Sequence, residues 1–265
     1  DYARFVPTKS MVECYLTDKG EIWNPSACNS YEEVFRNRDP RMTQSILAPG
    51  TPWEGGKSGD LSSTDDKIYT YPKLSNTKDG SMTYSGYYMR KCVEPSTVRY
   101  VSHDDNDIVI IRYAEVLLNY IEAKERLGTV SQDDLDMTVN RLRDRVGMVH
   151  LKLDNLPAGS DIRTEIQRER RVELFFEGHR YFDIIRWKQG ELLAGDLLGV
   201  NRRWLDQSRL SENLNDLSWK NVDGEQYLLI ETGRRFDPGR HYLLPVPFTQ
   251  MQLNPDLAPN NPGWN

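Results

Sequence analysis

The chain has 265 residues, 38% of them hydrophobic and 10% aromatic, and 34 Lys and Arg against 40 Asp and Glu give a formal charge of −6 at pH 7. Nucleic-acid binders draw most of their affinity from a basic face that neutralises phosphates, so this balance argues against a nucleic-acid partner. No stretch approaches the roughly 18 apolar residues that cross a bilayer as a helix, and Asp1-Tyr2-Ala3-Arg4 lacks the charged-then-apolar start of an export signal, so the chain reads as a portion of something longer.

Residues 1–105 read as a loop-rich segment with short helices over 10–15 and 31–38. Pro49-Gly50, Gly55-Gly56, Ser58-Gly59, Asp79-Gly80 and Ser85-Gly86 punctuate a long irregular stretch. Such a stretch is functional or disordered in most domains, and its aromatics argue against disorder. Cys14, Cys28 and Cys92 are odd in number and form no C-x-x-C pair. Cys14 and Cys28 could bond to each other in an oxidising compartment, or all three could serve as small hydrophobes. Gly55-Gly56-Lys57-Ser58 is a chance match to the end of a phosphate loop: Thr51 stands where the first glycine belongs, and no apolar strand precedes it. His103-Asp104-Asp105-Asn106-Asp107 has oxygen ligands for a cation but not the glycine or spacing of a calcium loop. It reads as a solvated turn and helix cap.

Residues 106–190 carry two helix pairs. Ile110, Tyr113, Ala114, Leu117 and Ile121 follow the helical period, opposed by a polar stripe in which Glu122 and Arg126 stand at i,i+4. The predicted helices cover 107–128, stopped by Gly128; 132–146, capped by Ser131; 161–177, stopped by Gly178; and 180–189, stopped by Gly190. Residues 191–265 read as irregular, with 210–223 and 226–231 unassigned. Each proline in Tyr242-Leu243-Leu244-Pro245-Val246-Pro247 forces its predecessor out of the helical region, and Asn261-Pro262-Gly263-Trp264 reads as a turn. The expected fold is mainly α, with helical pairs in tandem, long irregular loop excursions and little sheet.

Several segments then combine. Arg112-Tyr113-Ala114-Glu115-Val116-Leu117-Leu118-Asn119-Tyr120 with Glu122-Ala123 comes first, followed by Asn140-Arg141-Leu142-Arg143-Asp144-Arg145-Val146-Gly147-Met148. The densest block is Glu169-Arg170-Arg171-Val172-Glu173-Leu174-Phe175-Phe176-Glu177-Gly178-His179-Arg180-Tyr181-Phe182-Asp183-Ile184-Ile185-Arg186-Trp187. With Asp39-Pro40-Arg41-Met42 before Ile46-Leu47-Ala48-Pro49-Gly50, and with the terminal 242–247, Asn254-Pro255 and 261–264 segments, they resemble in order the C-terminal half of the SusD/RagB family of outer-membrane nutrient-binding lipoproteins. The resemblance implies a SusD-like fold with tetratricopeptide-like helical pairs and no cofactor. It implies a non-catalytic component at a Gram-negative cell surface that captures a starch- or polysaccharide-type oligosaccharide for a TonB-dependent outer-membrane transporter. Membrane contact would come only through a lipid anchor that this chain does not carry, and the family's N-terminal half is absent. Some relatives handle peptides instead.

The candidate ligand loop is 50–90, where Trp53, Tyr69, Tyr71, Tyr84, Tyr87 and Tyr88 sit among glycines and polar residues; Trp204 and Trp219 lie in the second irregular region. A flat ring offers an apolar face to the C–H face of a sugar, with a hydroxyl or indole N–H for orientation. Lys57, Asp60, Asn76 and Arg90 are placed to read hydroxyls. For every ring the alternative is packing of the loop onto the helices, and Trp187 and Trp264 are read as core. Glu169, Glu173 and Glu177 share one helix face. They are either carboxylates for glycoside hydrolysis or an ion-pair network with Arg170, Arg180 and Arg186. His103, His150, His179 and His241 show no metal-ligand spacing, and there is no G-x-S-x-G elbow; no catalytic or metal residue is assigned. Two rivals to glycan binding stand: a glycoside hydrolase using the carboxylates from Glu169 to Asp183, and a helical-repeat module that docks a protein without a sugar site.

Overall fold

The computed structural model describes residues 5–53, 67–74, 82–92 and 107–264. Its helices are α1 (Lys9–Cys14), α2 (Pro40–Ser45), α3 (Tyr113–Arg126), α4 (Gln132–Met137), α5 (Val139–Asp144), α6 (Ile162–Glu173), α7 (Arg180–Arg186) and α8 (Phe248–Leu253). The helical middle is where the sequence places it, with its ends redrawn by local chemistry. α3 starts at Tyr113 because the β-branched run Ile108-Val109-Ile110-Ile111 loses side-chain freedom in a helix; Arg112 before it is extended at φ −134°. The expected 132–146 helix breaks at Thr138, whose hydroxyl donates to the Asp134 carbonyl (2.6 Å) and competes with the backbone ladder. Ser131 caps α4 through a reciprocal box with Asp134.

The third helix stops at Glu173, not 177, and Phe176 takes a left-handed φ of 63° before Gly178. At the end of α7 the left-handed residue is Lys188, not Gly190. Lys188 N–H reaches the Ile185 carbonyl (3.1 Å) and Gln189 N–H the Ile184 carbonyl (3.0 Å), the Schellman pattern. Gly190 serves another purpose: a Cβ there would lie 2.0 Å from the Phe236 ring.

The C-terminal segment is not irregular throughout. Strands β1 (Pro52–Trp53) and β2 (Lys67–Ile68) pair antiparallel, and β3 (Gly195–Asn201), β4 (Trp219–Val222) and β5 (Glu225–Arg234) form an antiparallel sheet in the order β3-β5-β4. Asp223 and Gly224, at φ 52° and 84°, supply the two left-handed residues of a tight hairpin between β4 and β5.

Two hydrophobic cores result. The first joins α1, α2 and the tyrosines of the loop region to the sheet through Met11, Tyr15, Tyr31, Met42, Ile46, Tyr87, Val200, Trp204 and Leu228. The second lies among α3 to α6 and includes Leu118, Ile121, Leu135, Val139, Ile166 and Leu174. Helix α6 serves both, giving Val172 to the first and Ile166 to the second.

Candidate ligand-binding surface

Backbone pairing fixes the described part of the loop region. Thr83 N–H donates to the Lys73 carbonyl (2.8 Å) and Leu47 N–H to the Tyr88 carbonyl (3.0 Å). Thr83 Oγ1 donates to the Tyr87 carbonyl (2.7 Å), folding 83–87 tightly. Strand β3 then presses on that turn, with Val200 N–H on the Ser85 carbonyl at 2.7 Å.

This packing sorts the rings. Tyr87 is 1% exposed and lies face to face with Tyr31 at 6.1 Å; Trp204 is 3% exposed, donating its indole N–H to the Cys28 carbonyl (3.1 Å). Neither has a free face, so the expectation that they contact a ligand is corrected: they are core. Tyr69 is largely turned inward, sharing a hydrogen bond with the Tyr31 hydroxyl (3.0 Å), and burial raises its pKa above the ordinary tyrosine value. Tyr71 is half-buried. Its hydroxyl accepts the Asp206 N–H (2.5 Å), and the Arg209 guanidinium covers its ring at 3.8 Å. Tyr88 is half-buried with its hydroxyl accepting the Lys73 N–H (3.2 Å), and Tyr84 is 40% exposed. Trp219 is half-buried, its indole N–H bound to the Leu214 carbonyl (2.6 Å) and Arg202 above its ring at 5.4 Å. The backbone of Trp53 pairs with Lys67; its side chain, with Lys57, Asp60, Asn76, the Gly55–Ser58 motif and His103 to Asn106, lies outside the described residues.

Sequence reasoning missed a polar cleft of about 380 Å³ where Asn201, Arg202, Asn221, Glu225 and Gln226 converge. Arg202 links it to Trp219: its guanidinium lies over the ring and donates to Gln226 Oε1 (3.2 Å) and Asn215 Oδ1 (2.6 Å). Amide and guanidinium groups beside a ring are the chemistry that reads vicinal hydroxyls. The hairpin turn Asp223-Gly224 was the signal that could have revealed it.

The glutamates of α6 form a charge lock. Glu169 accepts from Arg41 and from Arg143 Nε (2.9 Å). Glu173 accepts from Arg41 (3.1 Å), Arg112 (2.7 Å) and Arg145 (2.9 Å). Just past α6, Glu177 accepts from Arg112 (2.7 Å) and Lys91 (2.5 Å). The partners are thus not those expected. Arg170 and Arg186 bind Asp183 instead, Arg186 also binds Glu122, and Arg180 meets the Trp187 ring at 6.0 Å, where burial lowers its pKa to about 10. Arg186 keeps 41% of its side chain exposed. Glu122, held by Arg186 and the Trp187 indole N–H (2.6 Å), does not pair with Arg126.

Burial pushes the carboxyl of Glu169 up, but Arg41 and Arg143 outweigh it and hold the pKa down to about 2. Glu173 and Glu177 are lowered in the same way. Glycoside hydrolysis needs one protonated and one ionised carboxyl facing the sugar; this lock holds its carboxylates ionised and turned to guanidinium. Cys14 and Cys28 are buried free thiols and Cys92 is exposed. Among the described residues, no group of three or more His, Cys, Asp or Glu is arranged to hold a metal, and no helix is long and apolar enough to cross a membrane.

A sequence model of the SusD family matches residues 1–264. SusD-like protein P2 of Formosa agariphila is 32% identical over 159 residues, which are 58% of this chain and 25% of that protein. SusD-like protein P38 of the same organism is 25% identical over 217 residues, 75% of this chain and 40% of that one. The solved structure of a SusD-like carbohydrate binding protein from Bacteroides fragilis NCTC 9343 superposes with a TM-score of 0.70 at 24% identity, covering 95% of this chain and 48% of that chain. Another SusD-like protein from that organism gives 0.67 at 23% identity, covering 98% and 47%. At such identities the structural likeness shows the shared fold, and the chain spans between a quarter and a half of the length of these relatives.

Proposed function

The chain belongs to the SusD family, and on that premise we propose that it is a non-catalytic glycan-binding component of a nutrient uptake system at the outer-membrane surface. Its ligand in this reading is an oligosaccharide of the starch or polysaccharide type, and its partner is a TonB-dependent transporter in the same membrane. In this reading a lipid anchor holds the whole protein there. The observation that carries the reading is the match of the family over residues 1–264. Two features agree with it: half-exposed rings whose polar edges are already hydrogen-bonded, and the Asn201–Glu225 cleft beside Trp219. The proposed contact residues are Trp53, Tyr71, Tyr84, Tyr88 and Trp219, with Tyr69 behind them.

A surface of one or two rings binds weakly, roughly in the μM to mM range. Affinity electrophoresis through gels loaded with different polysaccharides, followed by calorimetry with the retarding glycan's oligosaccharides, tests the reading. Retardation by at least one polysaccharide, with no release of reducing ends, is expected. Retardation by none, or turnover of any, overturns it. Copurification of the full-length protein with a transporter from outer membranes tests the partnership separately.

A further inference from the structure

The cleft beside the charge lock holds more positive charge than its own carboxylates neutralise. Its volume is about 420 Å³, and its lining includes Arg41, Arg90, Lys91, Arg112, Arg145 and Glu173. Clefts that take small ligands run from roughly 300 to 1,000 Å³. The connected network around it joins Arg41, Lys91, Arg112, Arg143 and Arg145 to Asp39, Glu169, Glu173 and Glu177. Arg90 adds a sixth cation to these four carboxylates; it donates to the Thr43 carbonyl (2.9 Å) and to no carboxylate among the described residues. Among the described residues the cluster is therefore +2, in a chain whose total charge is −6.

The donors are unequally used. Arg41, nearly fully buried, is directed at Asp39, Glu169 and Glu173. Lys91 and Arg112 both reach past their carboxylates to the Glu173 backbone carbonyl, at 2.9 and 2.6 Å. Arg145 commits one terminal nitrogen to Glu173 (2.9 and 3.0 Å), while half of its side chain is exposed. Its remaining guanidinium N–H groups, and those of Arg90, have no partner among the described residues. Guanidinium forks match the paired oxygens of carboxylate and sulfate, and like charges crowded in a partly desolvated cleft repel until an anion enters.

We infer that this cleft binds the anionic group, carboxylate or sulfate ester, of an acidic saccharide, with Arg90 and Arg145 as the available donors. The inference rests on the glycan reading above and narrows its ligand class. Arg90 stands two residues after Tyr88 on one segment, and its N–H is fixed to the Ser45 carbonyl at 2.9 Å, so the cleft adjoins the ring-bearing segment along the chain.

The test titrates the protein with an oligogalacturonate, a sulfated oligosaccharide of equal length and a neutral oligosaccharide, in about 50 and about 500 mM NaCl, since salt screens such contacts. One of the two acidic probes is expected to bind and to weaken at high salt, and which one binds tells carboxylate from sulfate. R90Q/R145Q is expected to lower that affinity at least about tenfold with little change in melting temperature. R90Q alone serves if the pair unfolds, because Arg90 bonds no carboxylate among the described residues; inorganic sulfate should also displace the acidic probe from the native chain. Binding of neither acidic probe, or acidic binding that ignores both variants, overturns the inference. Retention of the neutral oligosaccharide without the acidic ones rejects this inference alone; retention of no saccharide rejects the glycan reading as well.

Discussion

Glu173 receives three guanidinium groups, and what its removal does follows from which of them can reach water. Arg145 can, being half exposed; Arg41 cannot, with 4% of its side chain accessible. Glu173→Ala leaves Arg41 short of a partner and should cost about 3–5 kcal/mol, the scale of breaking a buried pair. Chemical denaturation measures it, and an unchanged midpoint would show that Asp39 and Glu169 alone satisfy Arg41. Arg186→Ala leaves the buried Glu122 carboxylate, among the described residues, only the Trp187 indole N–H and should cost about 3 kcal/mol, read from the same denaturation midpoints. The same carboxylates set the acid limb of stability. Arginine neighbours depress Glu169 to about 2 and lower Glu173, Glu177 and Glu122 below the ordinary 4.5, against the opposing push of burial. Their contribution is whole above the unfolded-state value and disappears as pH falls through the folded values. Stability should hold from neutrality to about pH 4.5 and decline from there toward about 2. Equal denaturation midpoints at pH 7 and 3 would mean that these contacts add nothing net. Trp53→Ala belongs to this scale too. If its ring meets the sugar, oligosaccharide affinity falls at least about tenfold, or roughly 1.4 kcal/mol, and the melting temperature barely moves. A large loss of stability with affinity intact would assign the ring to packing.

At the scale of elements, the helices were legible and the sheet was not. Ser131 and Gly128 mark a cap and a stop with side-chain and backbone chemistry that acts within a few residues, and both are realised. Ser131→Ala should cost about 1 kcal/mol. Strand β3 carries glycines at 195 and 199 and pairs with β5 through repeated register shifts, so no alternation of polar and apolar residues survives to be read. Gly199 is there because of a distant partner: a Cβ would lie 2.3 Å from the Ser85 carbonyl oxygen, which is backbone and cannot step aside. Gly199→Ala should therefore lift β3 from the 83–87 turn and destabilise by about 1–3 kcal/mol or more. A variant as stable as the parent would show that the turn, not the strand, gives way. The candidate site was legible only as a set of rings, not as a surface. Ring composition named the aromatic residues, but Tyr87 and Tyr84, three positions apart, fall on opposite sides of the surface by contacts with Tyr31 and β3 that no local pattern encodes.

For the whole molecule, the two cores differ in how far apart their residues lie in the chain. The second is assembled within 114–174, while the first needs Met11 and Tyr31 to meet Val200, Trp204 and Leu228. The Trp204 to Cys28 hydrogen bond spans 176 positions and the Arg41 to Glu169 contact 128. Closing such loops slows the step that makes them. Pulsed hydrogen exchange during refolding should protect amides of α3 to α6 before those of β3 and β5; simultaneous protection would show one cooperative event. The chain also has a direction of birth. On a ribosome Met11, Tyr15, Tyr31, Met42 and Ile46 emerge well before their partners near 200–230, so until those are made they are without the sheet that shelters them. A nascent chain of this protein is thus a standing client for whatever shields apolar segments in the cell, until its final strands arrive.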